Sequence, residues 1–106
     1  MFLLAKDTYD QADFGLSLDL FNKLTQDFPN SHLFFEAQLY IGQCLFKSDR
    51  FIESREILTK LEKSYVPYDI QDRLLLWLGQ VYFKVKDFKQ AQDYFKKLIK
   101  ECPNSD

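Results

Sequence analysis

The chain repeats itself at an interval of 37 residues, and no other feature constrains its fold as tightly. Gly42-Gln43 recurs as Gly79-Gln80, Phe46-Lys47 as Phe83-Lys84, Phe51 as Phe88, Leu58 as Phe95 and Leu61 as Leu98. The offset carries upstream to Ala5, Tyr9, Phe14, Ser17, Phe21 and Leu24, and Phe28-Pro29 aligns with Tyr65-Val66 and Cys102-Pro103. A period of about 20 to 50 residues marks a repeat architecture, in which each unit has an apolar face that only its neighbour can cover.

Within a unit the apolar residues fall three and four apart, as in Leu74, Leu75, Leu78, Val81 and Tyr82, then Phe88, Ala91, Phe95 and Leu98. That spacing predicts two helices and no strand. Helices are expected near residues 1–11, 13–28, 31–48, 51–65, 69–85 and 88–102. Pro29, Pro67 and Pro103 should close helices, and Asn30-Ser31, Asp69 and Asn104-Ser105 should cap those that follow. Short turns make consecutive helices antiparallel neighbours. The expected fold is therefore all-α: a right-handed solenoid of three helix-turn-helix repeats and six helices, a single domain over 1–106 with repeats at 1–30, 31–67 and 68–106. Ala5, Gly42 and Gly79 should meet the small residues Ser17, Ser54 and Ala91 where paired helices touch. A helical Gly costs about 1 kcal/mol relative to Ala, so its recurrence at one repeat position points to close packing.

Composition narrows the function. Apolar residues make up 46% and aromatics 17%, against three Gly and three Pro, which supports a packed core rather than disorder. A net charge of −2 leaves no electrostatic footprint for nucleic acid. The charge is graded, with two basic and six acidic residues in 1–37, six of each in 38–74, and six basic and four acidic in 75–106. The apolar start Met1 to Ala5 runs at once into Lys6 and Asp7, unlike a secretory signal, and no run reaches the length of about 18 apolar residues that a membrane span needs. Cys44 and Cys102 read as core thiols.

Catalytic chemistry finds no purchase. His32 is the only histidine and has no carboxylate or thiol cluster at metal-ligand spacing. Gly15, Gly42 and Gly79 stand alone, so no phosphate-cradling loop is present, and Glu53 and Glu56 read as a solvated helix face. No enzyme, metal site or cofactor site is expected.

The pattern L-x2-L-G-x2-Y-x8-A-x3-F-x2-L-x4-P is carried by Leu75, Leu78, Gly79, Tyr82, Ala91, Phe95, Leu98 and Pro103. It resembles the tetratricopeptide repeat. The middle unit keeps Ile41, Gly42, Leu45, Ser54, Leu58 and Leu61, and the first keeps Leu4, Ala5, Ser17, Phe21, Leu24 and Pro29. The 37-residue period, longer than the family's usual one, implies extra residues at the start of each first helix. The FPNS and CPNSD linkers are similar to those of bacterial cell-envelope members such as the Tol-Pal-associated cell-division coordinator and the barrel-assembly lipoprotein. That likeness implies a bacterial periplasm or envelope, with the cytoplasm as the alternative.

The resemblance also implies a mode of action: a non-enzymatic scaffold that binds a protein or peptide segment on a concave face lined by the first helices. The family's groove positions fall on Phe2, Leu39 and Leu76; on Lys6, Gln43 and Gln80; on Tyr9, Phe46 and Phe83; and on Asp10, Lys47 and Lys84. An aromatic, an amide and a cationic row suit a segment with apolar anchors and an acidic group. Leu39 and Gln43 stand where the carboxylate-gripping members carry lysine and asparagine, so that activity is not implied. Two other roles stay open: a spacer in a longer array that associates end to end, or a regulatory module of a larger enzyme or envelope complex.

Overall fold

The computed structural model describes residues 1–64 and 66–101. Six helices follow one another: α1 (Phe2–Asp10), α2 (Phe14–Asp27), α3 (Phe34–Lys47), α4 (Phe51–Glu62), α5 (Tyr68–Lys84) and α6 (Phe88–Glu101). Each packs on the next, and α3 also reaches α5, so the first helices of neighbouring pairs share a side of the stack. No strand occurs among the described residues.

The three turns inside the pairs are built alike. Ala12, Asp49 and Lys86, again 37 residues apart, take left-handed backbone at φ 65°, 62° and 66°. The residue after each donates its N–H back to Thr8, Leu45 and Tyr82 at 2.9, 2.8 and 2.9 Å, while Ala12, Asp49 and Lys86 donate to Tyr9, Phe46 and Phe83. This pair of bonds satisfies carbonyls that a helix end leaves orphaned. The second helix starts at once: the Asp13 carboxylate accepts from Leu16 N–H at 3.4 Å, and Asp87 accepts from Gln90 N–H at 3.3 Å.

The turns between pairs differ from expectation. Ser31 does not cap α3 directly; its Oγ accepts from Leu33 N–H at 3.1 Å in a preceding turn, and the helix begins three residues later. Asp69 is not the cap of α5 either. Pro67 holds that place, with extended backbone at φ −55° and ψ 145°, and Asp69 lies in the first turn. The extra residues of the repeat thus lengthen α5 but form a turn ahead of α3. Tyr65, Cys102, Pro103 and the Asn104-Ser105 cap lie outside the described residues.

Two clusters make the core. Ala5, Phe21, Leu24, Ala37, Tyr40, Ile41, Cys44 and Leu45 bury one seam, and Leu39, Leu58, Leu61, Ile70, Leu74, Leu78 and Val81 bury the other. Ser17 and Ser54 are fully buried, and each donates its hydroxyl to the carbonyl of the paired helix, Ala5 at 2.8 Å and Gly42 at 2.7 Å. What lies over the glycines is larger than anticipated. A Cβ on Gly42 would stand 2.5 Å from Leu58 Cδ2, and one on Gly79 would stand 2.5 Å from Phe95 Cε1.

Candidate functional site

The four expected rows run across α1, α3 and α5, because residues 37 apart occupy the same place on successive first helices. They are not equally available. Leu39 is fully buried in the second core cluster and offers no surface, whereas Leu76 in the same row is 39% exposed. Gln43 is only 6% exposed and its Oε1 accepts no hydrogen bond, while Lys6 is exposed and Gln80 half-buried.

The aromatic row is locked from below. Tyr9 meets Phe14, Phe46 meets Phe51 and Phe83 meets Phe88 edge-on, at 5.3, 5.2 and 5.3 Å between ring centroids. The row is also covered from the following pair, by Tyr40 at 5.3 Å from Tyr9 and by Trp77 at 5.2 Å from Phe46. Tyr9 and Phe46 are therefore half-buried, and Phe83 is 56% exposed. Desolvation by that burial, with Cys44, Tyr40 and Asp10 adding to it, pushes the Tyr9 hydroxyl up to about 12.

Asp10, Lys47 and Lys84 stay at the surface. The Lys47 ammonium lies 5.9 Å from the Trp77 ring centroid, and that of Lys84 lies 5.9 Å from Phe51. Both cations rest on apolar rings and keep their heads in solvent. Between α3, α5 and α6 opens a pocket of about 310 Å³ lined by Phe46, Gln80, Phe83, Lys84 and Phe95. Four of these five come from the expected rows; Phe95 and the neighbouring Trp77 were missed. Tyr40 and Trp77 are aromatic residues 37 apart, a signal the sequence did contain.

Cys44 is buried, its thiol 3.5 Å from Ser17 Oγ and held above its ordinary range by desolvation, so it behaves as packing. No cluster of three or more His, Cys, Asp or Glu able to hold a metal occurs among the described residues. No described helix is long and apolar enough to cross a membrane.

Helix pairs of this kind, stacked with shared seams, form an all-α helical-repeat solenoid. Residues 72–105, which take in most of the third pair, match the family model of the tetratricopeptide repeat. Comparison with curated proteins returns no match. Repeats of this family mediate protein–protein interaction and are typically non-enzymatic.

Proposed function

We propose that the chain is a protein-binding scaffold whose first helices form a concave groove for a segment carrying an apolar anchor beside an acidic residue. The pocket of about 310 Å³ carries this reading, because it sets three rings, one amide and one ammonium around one open space. Lys47 and Lys84 supply the positive rim, Gln80 a hydrogen-bonding amide, and Phe46, Phe83 and Phe95 the apolar walls. The units at 1–30, 31–67 and 68–106 act here as one array.

The test uses acidic peptides with one Leu or Phe, titrated into the chain by fluorescence anisotropy. Phe83→Ala removes a half-exposed wall that meets Phe88 edge-on and should lower stability by about 1–2 kcal/mol without unfolding the chain, and Lys47→Glu reverses an exposed charge and should leave the melt nearly unchanged. Each is expected to weaken binding, Phe83→Ala by about tenfold or more. Binding that survives both substitutions would move the working surface away from the first helices.

A further inference from the structure

The two seams between helix pairs are closed differently on the side of the second helices. In the later seam Tyr94 of α6 stacks on Tyr82 of α5 at 5.4 Å and donates to Glu62 of α4 at 2.7 Å, and the Lys97 ammonium lies 3.9 Å from the same carboxylate. One repeat earlier these four places hold Ile57, Leu45, Thr25 and Lys60, and the Thr25 hydroxyl turns to the Asn22 carbonyl of its own helix at 2.9 Å. Two phenol rings and a carboxylate thus give way to smaller groups, and the seam stays open. A cleft of about 310 Å³ runs between α3 and α4, lined by Phe34, Gln38, Ile57, Lys60, Leu61 and Ser64. A second of about 410 Å³, walled on its far side by Leu18 and Asn22 of α2, adjoins it at Ile57 and Lys60. The groove therefore lies inside the stack, between the first and second pairs.

The chain also presents an exposed ring. Tyr68 is 78% exposed, whereas Tyr9, Tyr40, Tyr82 and Tyr94 are buried or half-buried. It opens α5 directly after Pro67, so its backbone is already ordered and docking its ring costs little further freedom. Asp69, the next residue, is exposed beside it.

We propose that two copies of the chain pair side by side, each placing Tyr68 in the groove of the other. Ser64 borders the cleft between α3 and α4 and also the hollow of about 370 Å³ lined by Pro67 and Tyr68, so the groove and the ring meet at one end of α4. A two-fold axis near Ser64 exchanges both contacts at once, which makes the interface self-complementary. The incoming ring packs on Phe34, Ile57 and Leu61, and Asp69 beside it faces the exposed Lys60. A ring, a carboxylate and a lysine then close the first seam, as Tyr94, Glu62 and Lys97 close the later one. The second copy supplies the two groups that the first seam lacks. This pairing uses the second-helix side and is independent of the concave groove proposed above.

Sedimentation of the 106-residue chain up to about 1 mM, where even a millimolar complex is populated, reads the association. A monomer–dimer equilibrium is expected, and Tyr68→Ala, at an exposed site, should weaken it about tenfold or more with the melt in place. Ile57→Tyr, which puts a ring where Tyr94 stands one repeat on, should fill the groove and weaken pairing as much. Mixed together, these two variants should associate, because one keeps the groove and the other keeps the ring. Lys60→Glu and Asp69→Lys give a second test that leaves the seam packing alone: each should weaken pairing several-fold, and the two mixed should pair as the wild type does. A strict monomer at that concentration, indifference to Tyr68→Ala in a normally folded chain, or charge-swapped mixtures that pair no better than their components overturn the proposal. So does a monomer that binds a fluorescein-labelled peptide of residues 66–72 in a Tyr68-dependent way, since the ring would then come from another protein.

Discussion

Gly42 and Gly79 hold paired helices at a distance that a methyl group would disturb, yet the two sites differ in what must give way. Over Gly42 lies Leu58, fully buried between α3, α4 and α5; over Gly79 lies Phe95, half-buried beside the exposed Phe83. Gly42→Ala should therefore destabilise the chain by about 1–2 kcal/mol, because Leu58 has no room to move. Gly79→Ala should cost less than half as much, since Phe95 can tilt outward; the helix propensity that Ala recovers, about 1 kcal/mol, is the same at both sites and is included in both figures. Urea melts of the two variants check this, and a larger loss at Gly79 would show that Phe95 is fixed. The recurrence of Gly was legible as close packing, but the neighbour was not. Ser54 faces the Gly42 carbonyl with its hydroxyl, and the large residue four positions further on covers the bare Cα. Repetition marks a position; it does not give the direction of the side chain opposite. Leu39 shows the same limit, since the family pattern put it in the groove and the deeper packing of the middle unit took it into the core.

At the scale of elements, all six helices were legible from apolar spacing, and the ends were not. The turns within pairs rest on left-handed Ala12, Asp49 and Lys86, none of them glycine, so the usual marker of such a turn is missing from the sequence. Alanine and lysine are less suited than aspartate, as they have neither glycine's freedom nor the side-chain hydrogen bonding that helps Asp tolerate this conformation. Ala12→Gly should stabilise the chain by about 0.5–1 kcal/mol, read as a raised melting temperature, with the backbone bonds from Ala12 and Asp13 retained. An unchanged or lowered melt would mean that glycine's entropy in the unfolded chain cancels the relief of strain. Between pairs, the PNS stretch looked like a cap because Ser accepts backbone N–H groups; it does so, but in a turn that precedes α3. Pro67 took the place assigned to Asp69 because its fixed φ suits a helix start as well as it prevents a helix from continuing.

For the molecule as a whole, stability depends on seams that join one pair to the next, and tyrosines stand in them. Tyr94 on α6 donates to Glu62 Oε1 on α4 at 2.7 Å, and Tyr82 stacks on it at 5.4 Å. Tyr9 packs on Tyr40 across the first seam. Around them the exposed and half-exposed ion pairs, Glu36 with Arg73 at 3.1 Å and Glu62 with Lys97 at 3.9 Å, add little of their own. Desolvation holds both hydroxyls in the neutral form, Tyr9 up to about 12 and Tyr94 higher still, where its bond to Glu62 adds to the effect. In the unfolded chain a tyrosine ionises at its ordinary value of 10.0. Above that pH the unfolded state binds fewer protons than the folded one, so unfolding is favoured as pH rises. The contribution of Tyr9 is thus complete below pH 10 and is lost as pH climbs through about 12. Thermal melts should hold steady up to about pH 10 and fall steeply beyond it, and Tyr9→Phe, which keeps the ring in the seam but cannot ionise, should make that fall shallower. Parallel pH curves for wild type and Tyr9→Phe would show that Tyr9 ionises as freely in the fold as in the unfolded chain, and would leave the alkaline loss to Tyr94 and its bond to Glu62.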